Sequence, residues 1–377
     1  MQLSYADVQK VKEIAHNFKI VNGTITHVIL VESGRINTTY KIVVPHGNDT
    51  VSYMLQRLNT NVFKDADYVM SNALRVTKHL RSKGMESLEF VMTKDGKALY
   101  EDGDDVYRMT KFIHAEVFQS VSRPEDMKML GEAIGQFALG LRDFDASELY
   151  ETIPKFHNTQ DRFENCILSA LNNARTTNAE RLQKSAEELD YVLKNRGIVS
   201  VIVNALASRK IRTSVTHNDP KLNNVLFDRK TNKPRCMIDL DTVMPGSILY
   251  DLADAIRYSA NTASEEETDI SKVSLDLELL KAFFEGFSEV MQNEFVLEFL
   301  SDNEKMLLPY AIKLMPLELG MRFLTDYYDG DVYFKVSRPD HNLDRARVQF
   351  ALAKDIDKKM CEIEELVNKM LWAIKQP

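Results

Sequence analysis

The stretch "VTHNDPKLNNVLFD", Val215 to Asp228, places an aspartate among asparagines, a histidine and a lysine, between two short apolar runs. Asp219 stands at the end of the first run, and Asn224 stands where the second begins. After seven intervening residues, "CMIDLDT" adds Asp239 and Asp241. Read as a strand, their i, i+2 spacing puts both carboxylates on one face. A hairpin would then converge Asp219, Asn224, Asp239 and Asp241. Crowded carboxylates repel and raise one another's pKa, so such a cluster calls for a cation. A few oxygen ligands of this kind suit Mg²⁺ held together with phosphates and water.

The surrounding chain sets the context. It has 377 residues, 44% hydrophobic and 28% charged, with a formal net charge of −8. That length calls for two lobes or domains rather than one simple core. The acidic balance, without any basic run, argues against a nucleic-acid partner. Cys166, Cys236 and Cys361 are scattered and odd in number, which reads as reduced thiols of a cytoplasmic protein. No apolar run approaches the roughly 20 residues of a membrane span, and the first residues read as an amphipathic helix rather than a signal peptide.

The first ~110 residues carry strand patterns with one helix. "TITHVILVES", "TTYKIVV" and "TVSYMLQRL" predict an antiparallel meander, broken by "ESGRIN" and "PHGND". "DADYVMSNALRVTKHLRSK" predicts a helix over 65–83 with Gly84 as its C-cap. "LEFVMT" and "DVYRMTKFIH" predict two more strands. From Lys111 onward the periodicity turns helical, over 126–144, 161–176, 180–195, 198–208, 249–259, 274–293, 302–328 and 341–373. Only the strands around Asp219 and Asp239 interrupt it. The expected class is α+β: a small β-rich lobe over 1–110 and a larger, mainly helical lobe over 111–377.

This order of parts matches the protein-kinase plan: a catalytic-loop Asp, an Asn four to five residues later, then a metal-binding Asp. Asp219 and Asn224 take the first two places and Asp239 the third. The glycine turn "ESGRINTTY", with Gly34, would lie over a nucleotide. His217 reads as a buttress of the loop, and Lys221 as a group that touches phosphate or Asp219. "YDLADAIRY" reads as a brace, with Asp251, Asp254 and Arg257 on one helix.

The motifs "INTTY", "LQRLN", "YRMTKFIH", "THNDPKLNNVLFD", "IDLDTVMPGSILYDLADAIRYSA", "GMRFLTDYYDGDVYF" and "HNLDRARVQFAL" span most of the chain. With them the sequence resembles the aminoglycoside phosphotransferase and choline kinase-like superfamily of small-molecule kinases, and within it the N-acetylhexosamine 1-kinases. The resemblance implies a two-lobed protein-kinase-like fold, with ATP as co-substrate and Mg²⁺ as cofactor. It implies phosphorylation of the anomeric hydroxyl of N-acetylglucosamine or N-acetylgalactosamine. Asp219 then matches the catalytic base, and Asn224 and Asp239 the metal ligands, with Asp241 a second acidic position near the metal. Asn37, Arg322 and Tyr333 match positions around the sugar. Met109 to Ile113 match the hinge whose backbone meets adenine, so Lys111, Phe112 and Ile113 are expected at the nucleotide.

Three departures accompany the resemblance. Gln56 stands where kinases of this fold usually carry a phosphate-gripping lysine or arginine, and Asn72 stands where its helix glutamate would be. N-acetylhexosamine 1-kinases share this substitution. Arg57 is adjacent, but strand alternation aims it at the opposite face. Arg35 and Pro220 replace a His and a Thr beside the sugar, which bears on substrate range. The alternatives are a kinase of another hydroxyl (choline, homoserine or an aminoglycoside) or a catalytically idle kinase-like binding module. The oligomeric state is left open.

Overall fold

The computed structural model describes residues 3–31, 37–175, 179–293 and 299–372. Helix α1 (Tyr5–Ala15) opens on a capping box in which Ser4 and Asp7 satisfy each other's backbone N–H groups. Strands β1 (His27–Val31), β2 (Thr38–His46) and β3 (Asp49–Leu58) form the expected meander. Helix α2 (Ala66–Ser82) follows, capped by Asp65 and ended by Gly84 at φ 75°. Strands β4 (Tyr100–Asp102) and β5 (Asp105–Lys111) complete a five-stranded antiparallel sheet of order β1-β2-β3-β5-β4. "LEFVMT" does not form a strand of its own. It touches β5 only through the Phe90–Thr110 bridge, while β4 takes the other half of the same edge.

Register assigns the sheet's two faces. Ile42 pairs with Tyr53, Tyr40 with Leu55 and Leu55 with Met109. Side chains of directly opposed residues share a face. This set packs with Val11, Ile14 and Ala15 of α1 into one hydrophobic core. The alternate residues form the opposite face: Thr39 opposite Gln56, Gln56 opposite Arg108, and Lys41 opposite Met54. That polar face looks toward the helical part of the molecule.

The rest is mainly helical: α3 (Pro124–Gly140), α4 (Thr159–Arg175), α5 (Ala179–Lys184), α6 (Ala186–Lys194), α7 (Val201–Ala207), α8 (Ile248–Ser259), α9 (Leu277–Asn293), α10 (Asp302–Asp329), α11 (His341–Lys358) and α12 (Met360–Val367). The segments expected as single helices over 180–195 and 341–373 are each divided, at Ser185 and at Lys359. Two short pairs, β6 (Ser214–Thr216) with β9 (Met244–Gly246) and β7 (Val225–Phe227) with β8 (Pro234–Met237), frame the catalytic-loop candidates. A large core joins α3, α8, α9, α10 and α11, and it also takes in Met70, Ala73, Val76 and Leu80 of α2. Helix α2 therefore buries its apolar face against the helical part, while α1 covers the sheet.

Candidate active site

The turn between β6 and β7 is built around His217. The buried ring accepts the N–H of Asp219 at Nδ1 (3.3 Å), and its Nε2–H donates to the Ile238 carbonyl (2.9 Å). These two bonds need the neutral imidazole. Burial lowers its pKa, outweighing the nearby Asp219 charge. Asp251 of α8 accepts the N–H groups of His217 (2.8 Å) and Asn218 (2.7 Å), one on each carboxylate oxygen. Asn218 adopts a left-handed backbone, φ 64°, which asparagine tolerates better than most residues. Its side-chain amide donates to the carbonyls of Thr216 and Thr242. The brace foreseen for "YDLADAIRY" is thus Asp251 gripping the loop directly. Asp254 and Arg257 pair with each other (2.7 Å), and Arg257 continues to Glu265 (2.7 Å).

The loop presents Asp219 half-buried. Asn224 donates its Nδ2 to Asp219 Oδ2 (3.1 Å) and to the Asp219 carbonyl (2.8 Å), and Lys221 Nζ lies 2.5 Å from Oδ1. Burial works against the charge on Lys221, but Asp219, with Asp254 and Glu265 behind it, raises its pKa. With its nitrogen committed to Asp219, Asn224 has its amide oxygen turned the other way.

Asp239 and Asp241 do not share a strand face, in contrast to the spacing argument. β8 ends at Met237, Asp239 takes a left-handed conformation (φ 61°, ψ 58°), and Asp241 lies in a single 3₁₀ turn, Leu240–Thr242. The i, i+2 rule requires an extended backbone, which this turn abandons. Asp239 keeps a solvent-open side, and among the described residues its carboxylate makes no hydrogen bond or ion pair. Protein atoms crowd it elsewhere, and with the charges of Asp241 and Asp219 they push its pKa well above the usual carboxylate range. Asp241 is buried and engaged. Arg108 Nη1 approaches Oδ1 at 2.5 Å, and Asn37 Nδ2 donates to Oδ2 at 2.6 Å. Among the described residues no group of three or more His, Cys, Asp or Glu side chains is arranged to hold a metal ion by itself.

Gln56 donates to Thr39 Oγ1 (3.2 Å) and accepts from Arg108 Nε (2.9 Å). Asn72 does not meet Gln56. It donates to the Tyr150 and Val243 carbonyls and accepts the Tyr150 N–H. Arg57 points to the other side of the sheet, toward Asp105 (3.4 Å). At the hinge, Phe112 N–H donates to the Ser52 carbonyl (3.0 Å), and its ring lies under Lys41 Nζ (3.9 Å). Lys111 bonds Glu89 through its N–H (2.9 Å) and its ammonium (2.5 Å), and Ile113 follows half-buried. Gly34 and Arg35 lie outside the described residues.

Arg322, on α10, lays its guanidinium over the rings of Phe156 (4.9 Å) and Phe334 (5.8 Å). Burial lowers the pKa of Arg162, and the neighbouring Arg322 cation adds to the effect. Phe156 and His157 line a cleft of about 190 Å³ together with Asn218, the residue before Asp219. Glu318 is buried against His157 (2.9 Å). Tyr333 stands in the loop after α10 with its ring largely exposed. Two residues here went unread in the sequence. Arg108 was hidden in a strand pattern, where the β3–β5 register would have exposed it. Asp326 accepts the N–H groups of Val332, Tyr333 and Phe334 (2.9, 2.7 and 3.0 Å) and the Asn342 amide (2.8 Å). In the sequence it is one of several charged residues along a long helix, with nothing to mark it out.

Solved structures with this architecture place the chain among kinase-like phosphotransferase folds. An aminoglycoside phosphotransferase from Alicyclobacillus acidocaldarius superposes with a TM-score of 0.63 at 15% identity, over 98% of either chain. A choline kinase from Cryptosporidium parvum gives 0.58 at 16%, over 97% of this chain and 100% of the other. A microcompartment-associated aminopropanol kinase gives 0.58 at 14%, over 95% and 99%. The model of the phosphotransferase enzyme family matches residues 27–282, more than half of the chain, and the protein belongs to that family.

Proposed function

We propose that this phosphotransferase moves the γ-phosphoryl group of ATP to the anomeric hydroxyl of an N-acetylhexosamine. The observation that carries the kinase reading is the held carboxylate of Asp219, with one oxygen against Lys221 and the other accepting from Asn224. Such a carboxylate orients an acceptor hydroxyl and takes its proton as the new P–O bond forms. An idle binding module would not need Asp219, Asn224 and Asp239 kept together.

The metal fits the donor set. Asp239 is an unpartnered carboxylate beside two other acids, and Asn224 turns its amide oxygen away from Asp219. These two would hold Mg²⁺, with phosphate oxygens and water completing its shell. Bound there, it would neutralise phosphate charge. Asp241 adds negative charge nearby, although its own oxygens are engaged. The hinge offers adenine the Ile113 backbone together with the Lys111 and Phe112 carbonyls, since the Lys111 and Phe112 N–H groups are taken.

The sugar reading rests on the long motif resemblance and on the charge around the acceptor cleft. Arg162 and Arg322 stand against Phe156, and although Glu318 and Asp161 offset part of their charge, they weigh against a cationic acceptor such as choline, an aminoalcohol or an aminoglycoside. Aromatic rings at Phe156, Phe334 and Tyr333 suit the apolar face of a sugar. His157 Nε2 and Glu318 Oε2 are buried without a partner, leaving polar capacity beside the cleft. Tyr333, Arg322 and Asn37 are assigned to the acetamido sugar, as is Arg35.

The test is a panel of free sugars with ATP and Mg²⁺, with products read by phosphorus NMR. N-acetylglucosamine or N-acetylgalactosamine should exceed glucose by ~10²-fold in kcat/KM, because a site that hydrogen-bonds a group penalises its absence. The 1-phosphate should form, and the methyl glycoside should not react. Phosphorylation of the methyl glycoside at the rate of the free sugar would exclude the anomeric assignment.

A further inference from the structure

The position opposite the phosphates lacks its usual cation, yet the sheet supplies one from the next strand. Gln56 on β3 and Arg108 on β5 are direct partners in the antiparallel register, so their side chains share the cleft face. Gln56 Oε1 accepts from Arg108 Nε at 2.9 Å. That bond fixes the stem and turns the terminal nitrogens away from the strand. The chain of contacts runs Thr39, Gln56, Arg108, Asp241, Asn37 and then the Asn59 N–H (3.0 Å). It crosses from the sheet to the acidic turn that carries Asp239.

The contact with Asp241 is close but poorly directed. Arg108 Nη1 and Asp241 Oδ1 lie 2.5 Å apart, yet both are buried atoms without a hydrogen-bond partner. The guanidinium therefore keeps donor capacity. Lys41 is the other cation that register places on this face, and it is held over the Phe112 ring at the hinge end. Arg108 alone of the two reaches the end where Asp239 and Asp219 lie.

We infer that Arg108 is the phosphate-facing cation of this site, delivered from β5 in place of the strand-β3 lysine. Asp241 and Asn37 hold it ready until the phosphates of a nucleoside triphosphate arrive. A guanidinium suits this task because its planar fork presents several donors to phosphate oxygens at once. The inference rests on the kinase reading above and adds which residue balances the phosphate charge.

The experiment measures dissociation constants for Mg·ATP and Mg·ADP by calorimetry, with no acceptor present, and the Tm of each protein. Arg108→Met should weaken Mg·ATP binding about 10- to 100-fold, as expected for losing a hydrogen bond to a charged group. Arg108→Lys should lose less. Gln56→Lys/Arg108→Met, which puts the cation back from the facing position, should recover at least tenfold of the loss. A folded Arg108→Met that binds Mg·ATP within twofold of wild type, even with a lowered Tm, would leave Arg108 as a clasp between sheet and helices and overturn the inference. If Arg108→Met does not fold, the double variant decides: binding within tenfold of wild type supports the inference, and a folded double variant binding more than 100-fold weaker overturns it. A wild-type protein that binds no nucleotide would instead remove the kinase reading itself.

Discussion

Replacing Asp326 by Asn keeps the size of a buried side chain but removes one acceptor oxygen. In the native structure Oδ1 receives Val332 and Tyr333 N–H, and Oδ2 receives Phe334 N–H and the Asn342 amide. An amide NH₂ cannot accept, so the Phe334 N–H and the Asn342 N–H aimed at that oxygen lose their acceptor, Asn342 keeping only its bond to Asp331 (2.9 Å), and the remaining bonds lose their charge assistance. Each buried donor left unpaired costs roughly 1–3 kcal/mol, so the two together predict a loss of about 2–6 kcal/mol. The same change frees the loop that carries Tyr333, so acceptor KM should rise while ATP KM stays near wild type. Urea unfolding at constant m, with steady-state kinetics on both substrates, measures both effects. A loss below about 1 kcal/mol with unchanged acceptor KM would refute the role given to Asp326.

Three shorter predictions accompany it. Asp219→Asn should stay folded and lose ~10²–10⁴ in turnover, since the amide cannot take the hydroxyl proton; activity within tenfold of wild type would dismiss Asp219 as the base. Asp239→Ala should shift the Mg²⁺ titration of activity to higher concentration, because the unpartnered carboxylate is the strongest ligand candidate; an unchanged titration removes it from the metal site. His217 has a folded pKa below its ordinary 6.5, so the native state resists protonation. The stability it supports is complete above that value and is lost as pH falls through it. The urea midpoint of wild type should therefore fall more between pH 7.5 and 5.5 than that of His217→Asn, and parallel curves would contradict the buried neutral imidazole.

Much of this fold was legible because its signals are local. The meander, the helix over 65–83 with Gly84 at its end and the helix over 302–328 are written in alternation, helical periodicity and a capping glycine. "THNDPKLNN" announced the Asp219–Asn224 pair for the same reason, since both lie in one turn. What stayed hidden depends on register or on a broken periodicity. Arg108 acquires its meaning only from being opposite Gln56. The strand expected through Asp239 and Asp241 fails because the backbone turns left-handed at Asp239, and nothing in the apolar frame "CMIDLDTV" marks that reversal. "LEFVMT" has strand composition, but most of the edge it would need is shared with β4. Asp326 looked like any helix aspartate until the loop it holds was folded back on it.

The attachment of α2 carries a consequence for control. In protein kinases the helix after the third strand governs activity by where it stands, because its glutamate must meet the strand lysine. Here that helix shares its core with the helical part of the molecule, and Asn72 ties it to Tyr150 and Val243 through three hydrogen bonds. Swinging it outward would break those bonds and expose Met70, Ala73 and Val76 together. An off-state reached by helix displacement, which signalling kinases exploit, would here have to break that attachment to the helical part.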